Sequence, residues 1–108
     1  MAHTIYRLND NTVEVSLLAL STDGSYLNAA TVTMTLCTYA SGSRVVVTDA
    51  SALTLTYVTS SNGKYQGVLP ASLTLVAGDV HTLEITATSG TNDGFVALDV
   101  EVQNRTTF

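Results

Sequence analysis

The segment Ala30-Thr31-Val32-Thr33-Met34-Thr35-Leu36-Cys37 decides the fold class. Successive side chains of a β-strand point to opposite faces, so Ala30, Val32, Met34 and Leu36 share one side while Thr31, Thr33, Thr35 and Cys37 share the other. A helix would mix the two sets around its circumference. The apolar side belongs in a core, and the threonine side faces water or a covering neighbour. Upstream, Val13, Val15 and Leu17 alternate with Glu14 and Ser16 until Leu18 and Leu20 break the parity, which places a bulge or strand end near Leu17. Ser21-Thr22-Asp23-Gly24-Ser25 then carries turn chemistry. Downstream, the turn Ala40-Ser41-Gly42-Ser43 leads to short strands at 45–48 and 53–58, separated by Asp49-Ala50-Ser51. Beyond Pro70, a strand terminator, comes a further short strand at 73–76 and a turn at Ala77-Gly78-Asp79. His81, Leu83, Ile85 and Ala87 alternate with Thr82, Glu84, Thr86 and Thr88, and Val96, Leu98, Val100 and Val102 with Ala97, Asp99 and Glu101.

Keeping apolar faces together sets two hairpin registers. A three-residue loop, Ser61-Asn62-Gly63, brings Leu55 opposite Leu69 and Tyr57 opposite Gly67, with Gly63 as the left-handed residue. A two-residue Asn62-Gly63 turn would mix the faces. Pairing Thr88 with Phe95 across the 89–94 loop sets Glu84 opposite Asp99 on the outward side, with Glu101 two residues farther on. Like charges facing across strands destabilise a sheet. Glu84, Asp99 and Glu101 are therefore a candidate acidic patch for docking on basic groups of a partner, set against the plainer reading of a solvated edge. The strand count, about seven to eight with turns roughly every 8–12 residues, is that of an all-β, two-sheet antiparallel sandwich.

Composition narrows the function classes. The 108 residues fit one domain, 1–108, with possible terminal arms at 1–8 and 104–108. Only 12% are charged, while 18 are Thr and 10 are Ser, so hydroxyls take the place of charge on the surface. The net charge of −5 argues against nucleic acid as a partner, which needs a basic face. No apolar run is long enough to span a membrane as a helix. The start, MAHTIYRLNDN, has no secretory pattern, and the single cysteine excludes an intrachain disulfide framework, so synthesis in a reducing cytoplasm is expected. With no Trp and no cysteine pair, an antibody-type immunoglobulin domain is excluded, though not its architecture.

The run Gly63-Lys64-Tyr65-Gln66-Gly67-Val68-Leu69-Pro70, then Leu73-Thr74-Leu75, Gly78-Asp79 and His81-Thr82-Leu83-Glu84-Ile85-Thr86-Ala87-Thr88, resembles Ig-like modules of tailed-bacteriophage virion proteins and bacterial surface proteins. In those modules a Gly-x-Tyr enters one strand and a Gly-Asp or Gly-Thr turn introduces a Tyr/His-Thr-Leu-Glu-Ile-x-Ala strand. Asn28 to Leu36 is similar to their second strand, and the likeness covers most of 28–102. It implies an Ig-like sandwich. A freestanding chain of this kind is similar to small virion proteins that decorate a capsid, or alternatively sit at the neck, tail or head-tail joint. The partners it implies are a major capsid protein or tail and neck subunits, with the chain in many copies or as a homo-oligomer, in the virion.

Nothing in the sequence assembles a catalytic constellation. His3 lies in an expected arm, and His81 is in phase with inward residues, which suits a packed imidazole better than a general base. Cys37, on the threonine side without an activating neighbour, reads as an inert small side chain. Two distant histidines and one cysteine fall short of a zinc site. Asn9-Asp10-Asn11 and Asn92-Asp93-Gly94 have calcium-type oxygens but not EF-hand spacing, and no cofactor is expected. The sequon Asn104-Arg105-Thr106 reads as accidental without an export signal. A carbohydrate-binding or adhesion module is the rival of another class, but Tyr6, Tyr26, Tyr39, Tyr57 and Tyr65 are scattered rather than gathered into a platform.

Overall fold

A computed structural model describes residues 3–16, 18 and 24–104, and every regular element among them is a strand. The elements are β1 (His3–Tyr6), β2 (Asn11–Val15), β3 (Thr31–Ala40), β4 (Ser43–Val46), β5 (Leu53–Tyr57), β6 (Tyr65–Leu69), β7 (Val80–Ser89) and β8 (Asn92–Gln103). They form one mixed sheet in the order β1-β8-β7-β3-β5-β6-β2, with β4 also paired to β3. The expected bulge at Leu17, most of the turn at 21–25 and the residues 105–108 lie outside the described residues.

The single path arises in β5, which changes partner halfway. Leu53 and Leu55 lie opposite Met34 and Val32 of β3, whereas Thr56 and Tyr57 lie opposite Gln66 and Tyr65 of β6. The two ends of the path, β1 and β2, are consecutive in the chain. Asn11 ties them together: its Oδ1 accepts from the Tyr6 N–H and its Nδ2 donates to the Tyr6 carbonyl, both at 2.9 Å. The sheet therefore curls nearly closed around its apolar face.

Strand alternation supplies that face. Val32, Met34 and Leu36 of β3, Leu83, Ile85 and Ala87 of β7, and Val100 and Val102 of β8 are all buried, together with Leu55, Tyr65 and Leu69 from the opposite side. Tyr65 is the central aromatic. Its ring lies 5.6 Å from that of Tyr57, and its hydroxyl donates to the Leu27 carbonyl (2.6 Å) and accepts from the Ala30 N–H (3.0 Å), so the buried phenol has no unmet polar group.

Several sequence expectations need correction. Residues 3–6 are a strand rather than an arm: β1 runs parallel to β8, with His3 beside Val100 and Ile5 beside Val102, so the sheet is mixed rather than wholly antiparallel. Burial of Ile5 and the Arg7 N–H donating to the Gln103 carbonyl hold it there. Segment 73–76 is irregular, although Leu73 and Leu75 are buried. Pro70 ends β6, and the Ala71 N–H turns aside to Asp10 Oδ1 (2.8 Å). The strand expected at 45–48 is β4, two residues earlier; beyond it the Leu36 N–H and C=O are met by Ala50 and Val47 across a looped-out segment.

Both hairpin registers keep the expected face but slip by two residues. Tyr57 lies opposite Tyr65, and a Val58 to Lys64 backbone bond closes a loop at 59–63 rather than at 61–63. Gly63 is left-handed as expected, at φ +65°. In the β7–β8 hairpin the turn is only Gly90-Thr91, so Phe95 lies opposite Thr86 and Glu84 opposite Ala97. Gly90, at φ +61°, supplies the tight reversal, and the turn-forming Asn92-Asp93-Gly94 is drawn into the strand.

Candidate functional site

The outward face of β8, β7, β3 and β4 carries the chemistry. Hydrogen-bonded neighbours across β3 and β7 align Thr31 with Thr88, Thr33 with Thr86, Thr35 with Glu84 and Cys37 with Thr82. These threonines stand in two adjacent rows on a pleated surface that their β-branched side chains favour. Phe95 extends the face on β8 and Tyr39 extends it towards β4; both are exposed. Its threonine rows are uncharged and have an aromatic ring at either flank, while Asp93, Asp99 and Glu101 lie along β8 on the same face.

Glu84 is the acid in its middle, and it is neutralised within the chain. The β3–β4 hairpin puts Arg44 opposite Tyr39, and β3 lies beside β7, so all three side chains meet. Arg44 Nε donates to Glu84 Oε1 at 3.1 Å, Arg44 Nη2 reaches the same oxygen, and the Tyr39 hydroxyl donates to Oε2 at 2.9 Å. The Glu84 side chain keeps only 11% of its surface exposed. Arg44 first, then Tyr39, holds its carboxyl below the usual carboxylate range, while Glu84 in turn raises the Tyr39 hydroxyl.

This geometry changes the register expected within the acidic patch. Glu84, Asp99 and Glu101 do share the outward face, but Asp99 lies opposite Thr82 and Glu101 opposite Val80. No acid faces another across these strands. Asp99 is exposed, and Glu101 accepts from Gln103 Nε2 at 2.7 Å. Asp99 and Glu101 therefore sit towards one end of the face and Asp93, opposite Thr88, at the other, and the charge of Glu84 is compensated by Arg44. The Tyr39 to Arg44 pairing follows from the Ser41-Gly42 turn and was within reach of sequence reasoning; the approach of β7 was not.

Cys37 is fully buried, and its Sγ donates to the Thr82 carbonyl at 3.6 Å. Burial, then the nearby Glu84 carboxylate, pushes the thiol up, so it stays protonated and weakly nucleophilic. His81 points inward as expected and is 7% exposed. Neither ring nitrogen has a partner within hydrogen-bond geometry, and burial pulls the imidazole below its ordinary value of 6.5 against the opposing pulls of Asp79 and the Cys37 backbone. Among the described residues no cluster of three or more metal-ligating side chains occurs, and no helix is long and apolar enough to cross a membrane.

A concavity opens on the inward side of the sheet, beside the uncovered part of β8. An apolar cleft of about 180 Å³ has Val32, Ile85 and Ala87 at its floor and Val15, Gly94 and Val96 along its sides. Its lining is almost wholly hydrocarbon, with no convergent acid and base, so it offers shape and apolar contact rather than chemistry. Compared with protein-family models, curated proteins and solved structures, the chain matches none.

Proposed function

We propose that the protein is a non-enzymatic structural component that works by covering, and being covered by, protein surface. The observation that carries this reading is the outward face of β8, β7, β3 and β4, with its adjacent threonine rows, its flanking Phe95 and Tyr39, and its central acid already paired with Arg44. Docking on the threonine rows removes apolar methyls and ring edges from water while Glu84 keeps its Arg44 partner, so no unpaired charge is stripped in the middle of the contact, the costly event at an interface. Asp93 at one end and Asp99 and Glu101 at the other favour a basic rim on the partner.

Strand order supports an Ig-like arrangement for this role. The set β2-β6-β5 corresponds to the B, E and D strands of that fold and the set β8-β7-β3 to G, F and C, with β4 in the place of C′. Two features depart from the constant-type pattern: the first strand lies on β8 rather than on β2, and the β3–β5 pairing joins into one sheet the two sets that this fold keeps apart. With the likeness of residues 63–88 to tailed-phage Ig-like modules, the reading becomes a virion protein, with capsid decoration first and a neck or tail position second. The major capsid protein is then the covering partner.

The test is co-sedimentation of the purified chain with phage capsids that lack decoration, alongside T33K/T86K, which places two cations in the middle of the face. Saturable binding by the native chain that the double variant loses, with its melting temperature kept, is the expected result. Equal binding by both proteins would remove the face from the reading, and retention on a glycan array without capsid binding would move the function to carbohydrate recognition.

A further inference from the structure

Among the described residues, β2, β4 and residues 92–99 of β8 each have an edge with no strand beside them, because β1 covers β8 only from Val100 to Gln103. Exposed edges invite pairing unless charge or brevity blocks them. The β2 edge carries Glu14, ion-paired with Lys64, and β4 is four residues long and carries Arg44. The stretch Gly94-Phe95-Val96-Ala97-Leu98 has no charge at all, and it exposes 67% of Phe95 and 44% of Val96. Its main-chain groups point the right way. Val102 exchanges both its backbone bonds with the Gly78-Asp79 side, while the Gln103 carbonyl turns outward to the Arg7 N–H. By the alternation of an antiparallel ladder, Asp93, Phe95 and Ala97 therefore aim their N–H and C=O groups at the open edge.

We propose that two copies of this chain pair through this edge, β8 antiparallel to β8, with Phe95 facing the partner's Phe95 on a twofold axis. The register follows from charge. With Phe95 on the axis, Asp93 lies opposite the partner's Ala97 and Gly94 opposite the partner's Val96, and the pairs formed by residues 93, 95 and 97 each exchange both main-chain bonds. Moving the axis to Val96 sets Asp93 against the partner's Asp99 on both sides of the dimer, a like-charge contact. Moving it to Ala97 sets Phe95 against the partner's Asp99 and drives Asp93 towards the partner's Glu101, whose edge β1 already covers. The Phe95 register avoids these conflicts, and moving the axis the other way, to Gly94, leaves only the pairs of residue 93 with residue 95 exchanging both main-chain bonds within the strand. Gly94 adds a steric reason: a Cβ there would meet only the Ala87 Cβ, at 4.0 Å, so the partner's Val96 has room to lean over Ile85 and Ala87 at the cleft floor. The contact is isologous, as a twofold requires.

The dimer is measured without any particle, so its failure is separate from failure of the face reading. Sedimentation of the full chain is expected to give a concentration-dependent dimer, and F95K to raise its Kd by about ten-fold or more, as a charge at an edge does, with the melting temperature unchanged. Under mild oxidation F95C is expected to form a disulfide-linked dimer, since facing residues in this register lie about 5.5 Å apart at Cα, within disulfide reach. A97C alone is expected to stay unlinked, and a mixture of A97C with D93C to link. The native Cys37 is buried and does not compete. Linking through V96C but not F95C would overturn the register, and a monomer at all concentrations with no F95C linkage would overturn the dimer.

Discussion

Gly63 carries two separate demands, and replacing it with alanine separates them. Its φ of +65° is left-handed, a region that costs an L-residue roughly 1–2 kcal/mol. A Cβ at Gly63 would also collide with the Leu18 backbone, where the Leu18 N–H donates to the Gly63 carbonyl at 3.0 Å. The Gly63 N–H in turn donates to Asn28 Oδ1 at 2.8 Å. Relieving the collision means displacing one or both bonds, each worth about 0.5–1.5 kcal/mol. Gly63→Ala is therefore expected to destabilise by about 2–5 kcal/mol. Gly42 is the internal control, being left-handed at φ +79° with no atom within 4 Å of an added Cβ. Gly42→Ala is expected to cost only the conformational part, roughly 1–2 kcal/mol. Urea unfolding of both variants at equal m-value gives the difference directly. If the two cost the same, the docking of Leu18 on the 59–63 loop is wrong.

Leu36→Ala removes a fully buried side chain from the centre of β3 and is expected to cost about 2–5 kcal/mol by thermal or urea unfolding. His81 is held neutral in the fold, so the unfolded chain binds more protons just below pH 6.5; stability is expected to fall as pH drops through that range, and His81→Leu to flatten the profile. Glu84 has the opposite character: its lowered carboxyl contributes stability that is present above the ordinary value of 4.5 and lost as pH falls through its folded value. Unfolding midpoints of Arg44→Ala measured across that acid range should show a shallower acid slope than the native chain.

The alternation at 30–37 and 81–88 was legible because each strand has one buried and one outward face, and burial then dictates parity. Parity is all it dictates. Both hairpins kept their faces and slipped by two residues, since a two-residue slip leaves every side chain on its own side. What fixes the offset is the turn: Gly90 alone sufficed where Ser89-Gly90-Thr91-Asn92-Asp93-Gly94 all had turn character, and the Val58 to Lys64 bond closed a longer loop than Asn62-Gly63 required. The slip changed the site. Glu84 moved from Asp99 to Ala97, and its real partner, Arg44, comes from a strand forty residues away in sequence that only the β3–β7 pairing brings near. The parallel pairing of β1 was illegible for a related reason, since no local turn links it to β8 and the short His3–Tyr6 alternation has only Ile5 to bury. His81 was legible from phase alone, but its lack of partners within hydrogen-bond geometry was not.

The scarcity of charge acts on faces and edges in different ways. On the outward face the threonine rows satisfy a pleated surface without charge, and the one central acid is compensated by Arg44. On edges, charge is what prevents pairing, and among the described residues the β8 edge is left without it between Asp93 and Asp99. Pairing two β8 strands in a register that matches odd residues with odd residues keeps outward side chains outward. The threonine rows of both copies then lie on one continuous plane, with the two Phe95 rings at its centre. An edge dimer therefore leaves the proposed contact face uncovered and presents it twice. Two faces held rigidly together engage a repetitive surface with an effective concentration that one face lacks, so weak, uncharged contacts become sufficient for stable attachment to such a surface.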